Sequence, residues 1–508
     1  MRKLMTLLLC VLLAFPVLML TGCDGGLDHT ERCRETGRIR VLMGLWPTAS
    51  EPELVEIFEE RRERFERENT DYMIVPSSFN FNPGTFGTLA HAGNVPTIFQ
   101  AYFTEPRRLA DAGWIRPITE QFNAMGWTNY MNPYMQEILT HNGQLFGVPR
   151  DGYGLGLLLN TSILSDPDVN LLRRDASGNA IMYRADGTPY YPTTFDELKE
   201  WSLAVNNTWH GRHGLTILTD GTGAGWHLSN IAWNFGADRL QNPPATAGGN
   251  WTANLNDSYV VDALEWIQLM RASGGAVPEM RNDGQWPADI LNARSAMAIV
   301  GSDAIDNPIR IAPPNATLTM DHLALVPMPS VSGVEASALF GGVGFMFSNR
   351  ASDAQVRGAL KFLEFMGRAP IDSEHSRSAL IEGFEYADNR GFAVTPTIRP
   401  WTNPAFNSMM DYIEREREFT NRQGVTRQGA INVNMYYFDS FFNRLLGQEG
   451  HEPMIRAEEP MIAQDMYRHM GIAVRAVFQN HNRNRDNLQG LLNTANLNFQ
   501  RDLDRHVN

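Results

Sequence analysis

Residues 146–160 read FGVPRDGYGLGLLLN: a proline, then three glycines at alternate positions, then an aliphatic exit. Gly152-x-Gly154-x-Gly156 invites a nucleotide-loop reading. A dinucleotide loop, however, needs a strand, a glycine turn and then a helix whose N-terminus receives the phosphates. Here the glycines run into LLLN, which has the character of a strand. The stretch therefore predicts a strand that passes between two lobes, with glycines that let the backbone bend and neighbours approach closely.

The flanks carry the same alternation. RIRVLM (38–43) predicts a first buried strand, and Ser50-x-x-Glu53 a capping box with Pro52 in the first helical turn. Leu54, Phe58 and Phe65 follow at helical spacing on one face. MIVPSS (73–78) predicts the next strand, and VPTIFQAYF (95–103) a passage from helix to strand. Strands alternating with amphipathic helices define an α/β fold with parallel sheets. DASGN and ADGTP, two turn signals around AIMYR (180–184), suggest a small hairpin insertion. Thr194-x-x-Glu197 caps a further helix, and the last part of the chain reads as mostly helical, as in MMDYIEREREF (409–419) and MYYFDSFFNRLL (435–446). At 508 residues the chain is expected to divide into two or more lobes, because single cores stop growing at about 250–300 residues.

The N-terminus is an address. Arg2 and Lys3 precede the apolar run MTLLLCVLLAFPVLML, short for a bilayer-spanning helix and about the length of a signal-peptide core. Leu20-Thr21-Gly22-Cys23 resembles a bacterial lipobox, which implies a signal peptide over residues 1–22 and lipidation of Cys23. Stable attachment takes more than one acyl chain, since a single chain binds only marginally. Residues 23–37 are polar and glycine-containing and read as a flexible tether. Cys10 leaves with the signal and Cys23 carries lipid, so Cys33 stands alone and no intrachain disulfide framework is expected.

Composition excludes several functions. The formal net charge is −14 and falls to −16 once Arg2 and Lys3 leave with the signal, which argues against nucleic acid as a partner. Lys199 and Lys361 are then the last two lysines and neither follows glycine, so there is no P-loop. G-x-S-x-G, HExxH and CxxC are absent. His210 and His213 have H-x-x-H spacing without an acidic or cysteine partner spaced for a metal, so no metal and no cofactor is expected.

Several stretches together resemble the extracellular solute-binding proteins of ABC importers, family 1, the sugar-binding group. GQLFGVPRDGYGLGLLLN, PTTFDELKEW, ARSAMAIVGSDAI and LFGGVGFMFSNRASDAQVRGALKFLEFM are similar, in the right order, to its conserved passages, and IEGFEY (381–386) resembles an element of its LplA-like lipoproteins. Phe195 departs from a usual tryptophan, and Leu158-Leu159 from a tyrosine pair. The resemblance implies a two-lobed periplasmic-binding-protein-like fold of type II, with a central ligand cleft and a helical C-terminal part. Residues 38–149 and 328–385 would form the N-terminal lobe, and 150–327 and 386–508 the C-terminal lobe. Segments near 148–153, 326–333 and 385–400 would cross between them, and the lobes would close on the ligand by a hinge motion.

A sugar presents apolar C–H faces and a rim of hydroxyls, which aromatic planes and charged or amide groups satisfy. Trp46, at the end of the first strand, is a candidate ligand contact, as are Arg150, Asp151 and Tyr153 at the presumed crossing. Trp226, after the glycines of GTGAGWHLSN, and Asp303 in IVGSDAI complete the set. Lobe packing for Trp46, a hinge ion pair for Arg150 and Asp151, and core packing for Trp226 are the competing roles; Trp233, Trp286 and Trp401 read as core or lobe-pinning residues. The expected function is a monomeric lipid-anchored receptor that hands a carbohydrate to ABC permease subunits at the outer face of the cell membrane, without catalysis. Asp24 resembles an inner-membrane retention signal, which matters only in a cell with two membranes. The alternatives are an anchored hydrolase of extracellular glycans, which needs two carboxylates across a scissile bond, and an adhesin without a small ligand.

Overall fold

In the computed structural model the chain is described over residues 27–507, except 209–210, 246–248, 423 and 449. The signal peptide, Cys23, Asp24 and His210 lie outside the described residues. The main sheet contains β1 (Ile39–Met43), β2 (Tyr72–Pro76), β3 (Ile98–Tyr102), β4 (Gly147–Asn160), β5 (His213–Thr216), β6 (Ser295–Gly301), β7 (Leu323–Val326), β8 (Ala338–Phe347) and β9 (Ile455–Ala457). Its order is β2-β1-β3-β8-β4-β6-β5, with β7 beside β4 and β9 beside β8.

β4 is the glycine-bearing stretch, and it serves two sheets. Its first half, Gly147 to Gly154, pairs antiparallel with β8. Its second half, from Leu155, pairs antiparallel with β6 and β7. Parallel pairs complete each side: β1 with β2 and β3 in the first lobe, β5 with β6 in the second. Leu155, Leu157, Leu158 and Leu159 are fully buried, which accounts for the unbroken aliphatic exit. The glycines are there for contact: a Cβ on Gly152 would overlap the Phe340 ring, one on Gly154 the Leu445 side chain and one on Gly156 the Phe441 ring. Only the short helical turn Thr161–Leu164 follows, capped by Asn160, so the dinucleotide arrangement is absent from this stretch.

The long helices that cover the sheets are α1 (Pro52–Glu68), α2 (Phe195–Thr208), α3 (Gly221–Phe235), α4 (Ser258–Ala272), α5 (Asp353–Phe365), α6 (Glu374–Asn389), α7 (Ala463–Gln479) and α8 (Arg485–Val507). α1 buries Phe65 edge-on against Phe362 and Phe365 of α5. Its expected capping box does not form: Glu51 is the N-cap, the helix begins at Pro52, and the Ser50 hydroxyl bonds Thr48 instead. The box ahead of α2 does form, with Thr194 and Glu197 bonding each other's backbone N–H groups at 3.2 Å. α3 and α7 approach backbone to backbone at two glycines: a Cβ on Gly225 would overlap the Tyr467 carbonyl, and one on Gly471 the Gly221 carbonyl. Such a close crossing fixes the relative positions of everything carried on the two helices.

Two further passages connect the lobes. The chain leaves β7 at Val326 and enters β8 at Ala338. After α6, the Ala393 N–H donates to Asp306 Oδ2 (2.9 Å), and Ile398 and Trp401 then bridge Gly152 and Met131. The C-terminal part contributes to both lobes, because β9 pairs with β8 while α7 packs on α3. Residues 27–37 are tied to the first lobe over that length: Leu27 N–H donates to Asn94, Asp28 pairs with Arg40, and Arg32 bridges Ile39. No helix of the described residues is long and apolar enough to cross a membrane.

Candidate ligand cleft

A cavity of about 480 Å³ opens between the two sheets. Its walls are Asn82, Pro83 and Tyr102 from the first lobe, Tyr153 from the shared strand, and Thr222, Trp226 and Asp283 from the second. Glu458, just after β9, and Tyr467, in the second turn of α7, close one side. Tyr102 is the last residue of β3 and Trp226 lies in the second turn of α3, so strand and helix ends face one another, as at ligand crevices in open α/β sheets.

The aromatic groups are held by their neighbours. Asp220 caps the start of α3, and its carboxylate accepts from Gly221 N–H (3.0 Å). The Trp226 ring meets Tyr153 edge-on, with centroids 6.0 Å apart and planes at 82°. Behind it His227 stacks at 5.5 Å. That imidazole accepts from Leu218 N–H (3.1 Å) through Nδ1, and burial pushes its pKa down to about 3, so it is a neutral structural group. Tyr102, 40% exposed, stands edge-on to Phe81 at 5.6 Å.

The charged groups fall into two sets. Beside the cavity, Asp151 accepts from Arg368 (2.7 Å) and pairs with Arg150 (2.8 Å), while Arg150 also donates to Gln100. Burial works against the Asp151 charge, but the Arg368 and Arg150 guanidiniums outweigh it and hold the carboxyl below its ordinary value. The second set has no arginine in ion-pair contact, although the Arg150 charge still reaches Asp303. Asp303 is pushed up to about 6, chiefly by desolvation among the cleft walls, with the Asp151 charge adding to the effect and the Arg150 charge opposing it. Burial raises Asp283 as well. Glu458 is pushed up to about 8 by burial, against the hydrogen bond it accepts from Tyr467 Oη (2.9 Å).

Of the residues expected from sequence, Tyr153 and Trp226 meet in the cleft. Arg150 and Asp151 precede Tyr153 on β4, and Asp303 lies next to the Tyr153 ring across Gly301. Trp46 lies apart: 8% exposed, it packs on Phe58 and Phe362 and borders a separate hollow of about 240 Å³ that shares Tyr102 with the cleft. Trp233, Trp286 and Trp401 are buried in the core. His213 opens β5 and donates from Nδ1 to the Gly274 carbonyl (3.0 Å). Among the described residues no group of His, Cys, Asp or Glu is placed to hold a metal. Tyr102, Asp283, Glu458 and Tyr467 were not foreseen. Tyr102 ends a strand as Trp46 nearly does, so the same rule reaches it; the other three carry no local signal.

The chain matches the profile of the bacterial extracellular solute-binding proteins over residues 60–377, and it belongs to that family, whose members bind solutes and do not transform them. No curated protein is a detectable sequence relative. Among solved structures, UgpB from Mycobacterium tuberculosis in complex with glycerophosphocholine is similar at a TM-score of 0.62 and 13% identity, over 93% of this chain and 100% of that one. The GacH receptor of Streptomyces glaucescens, solved unliganded and with acarbose, is similar at 0.59 and 14%, over 91% and 98%. The cyclic alpha-maltosyl-1,6-maltose binding protein from Arthrobacter globiformis is similar at 0.58 and 17%, over 90% and 98%. At such identities the likeness is one of fold: two α/β domains of the periplasmic-binding-protein type.

Proposed function

We propose that this chain is the lipid-anchored receptor of an ABC importer, capturing an oligosaccharide in the cleft and passing it unaltered to permease subunits. The observation that carries the reading is the aromatic-walled cavity of about 480 Å³ between two sheets joined by one strand. Its volume falls within the usual small-molecule range of about 300–1,000 Å³. Tyr102, Tyr153 and Trp226 offer rings to sugar C–H faces, while Asn82, Thr222 and Asp283 offer hydrogen-bonding groups to the hydroxyl rim. Arg150, Asp151 and Asp303 adjoin that wall, and Trp46 serves the neighbouring hollow. The fold-level neighbours crystallised with acarbose or named for a maltosyl sugar support the ligand class. The lipobox at Leu20–Cys23 supports the anchor and an outward-facing membrane location.

The lobes, proposed as 38–149 with 328–385 and 150–327 with 386–508, close on the sugar about β4 and the two other passages, with β9 returning to the first sheet. A melting-shift screen of the mature chain against oligosaccharides tests the reading. A sugar at 100 times its Kd should add about 2.7 kcal/mol. No response to any sugar would favour the adhesin, and cleaved products would favour the hydrolase.

A further inference from the structure

We infer that the guest is a sugar bearing a protonated amine, its ammonium group held among Asp283, Glu458 and the rings of Tyr153 and Trp226. The inference rests on the carbohydrate-receptor reading and narrows it. The ion pairs of the cleft wall carry it. Two arginines line the cavity, Arg108 and Arg468, and both are already engaged. Arg108 holds Glu105, which is 1% exposed, and Arg468 bonds Asp465 (2.9 Å) and Asp502 (3.0 Å). Asp283 and Glu458, in the same wall, have no basic partner among the described residues, and Glu458 has only the Tyr467 hydroxyl. Among the described residues that line the cavity, Asp283 and Glu458 are thus acceptors without a cation in contact, while both lining arginines are engaged elsewhere.

The field of these groups converges on one ring. Tyr153 is held well above its ordinary pKa, first by burial and then by the charges of Glu458, Asp303 and Asp283. Asp303 Oδ1 and Tyr153 Cδ2 flank the same backbone position at Gly301. Electron-rich aromatic faces beside carboxylates attract an ammonium group, in the manner of aromatic cages. A neutral sugar could use the same acceptors through its hydroxyls, yet it would leave Asp283 without a cation. A uronate or a phosphate would meet it as repulsion. With its pKa at about 8, Glu458 holds its proton at pH 7 in the empty cleft; an arriving ammonium lowers that pKa, and the proton passes to water.

The test is calorimetric titration of the mature chain at pH 7 with three oligomers of equal length: glucosamine, N-acetylglucosamine and a uronate. The glucosamine oligomer should bind at least tenfold more tightly than its acetylated form, with the uronate weakest. Asp283→Asn should remove most of that preference while the ligand-free melting temperature stays close to the parent's. Glu458→Gln provides a second variant should Asp283→Asn fold poorly, and the same loss is expected. Equal or tighter binding of the acetylated or uronate oligomer, or a preference that survives the variants, overturns the inference. Binding of neutral sugars such as maltooligosaccharides without glucosamine overturns it alone. Silence toward every sugar overturns the receptor reading as well.

Discussion

Trp226 and Trp233 sit on the same stripe of α3, seven residues and about 10 Å apart along the axis. Trp226 is partly exposed and meets Tyr153 in the cleft. Trp233 is 2% exposed and lies under the Arg456 guanidinium, 4.3 Å from its ring. Helical periodicity assigns both to one side. Position along the axis separates them, because the N-terminal end of α3 opens on the space between the lobes and its C-terminal end, which carries Trp233, does not. A cleft-facing residue is thus distinguished from a core residue by its place along the helix.

Four substitutions sharpen or break that contrast. Trp233→Ala should cost about 3–5 kcal/mol in chemical denaturation, the range for a buried aromatic, while folded variant keeps its sugar affinity. Lost affinity at unchanged stability would place Trp233 in the binding machinery and dissolve the contrast. Gly225→Ala sets a methyl against the Tyr467 carbonyl and forces α3 and α7 apart. That overpacking should cost about 1–3 kcal/mol, and because Trp226 and Tyr467 both line the cleft, affinity should fall with it. Stability lost with affinity intact would show that the crossing does not set the cleft. Trp226→Ala should weaken binding about tenfold, roughly 1.4 kcal/mol, with a nearly unchanged ligand-free melting temperature. A collapse in melting temperature would make Trp226 a core residue too.

The smallest effect concerns Glu458. An unfolded glutamate ionises near 4.5 and this one near 8, so between those values the unfolded state has shed a proton that the folded state retains. Its contribution to stability therefore falls as pH rises across that window. Relative to the parent, Glu458→Gln should melt about 1–3 °C higher at pH 8.5 than the difference seen at pH 5. A difference that does not change with pH would mean that Glu458 titrates normally in the fold.

Much of the architecture was legible because it rests on local patterns. The strand at 147–160 was readable from glycines that lead into LLLN, and the helix at 195–208 from Thr194 and Glu197. Ser50 misled, because the chain turns into α1 one residue later and leaves its hydroxyl to Thr48. AIMYR lies between two separate tight turns, closed by the bridges Arg174–Ala180 and Tyr183–Pro189, where one hairpin was expected. MMDYIEREREF begins as helix, then loosens at Tyr412–Glu416 and enters a short strand at Glu418, where Phe419 is buried in a hairpin. The cleft was half legible. Tyr153 and Trp226 announce themselves beside glycines, whereas Glu458 and Tyr467 reach the site only because β9 pairs with β8 and α7 crosses α3. Arg368, the partner of Asp151, lies 217 residues away in sequence. Such long-range pairings leave no trace in local spacing.

The most direct test of capture without chemistry is to saturate the mature chain with its sugar, release the ligand by denaturation and weigh what comes back. The account predicts one intact sugar per chain, unchanged in mass after prolonged incubation. Fragments, or no stoichiometric retention of any sugar, would contradict it.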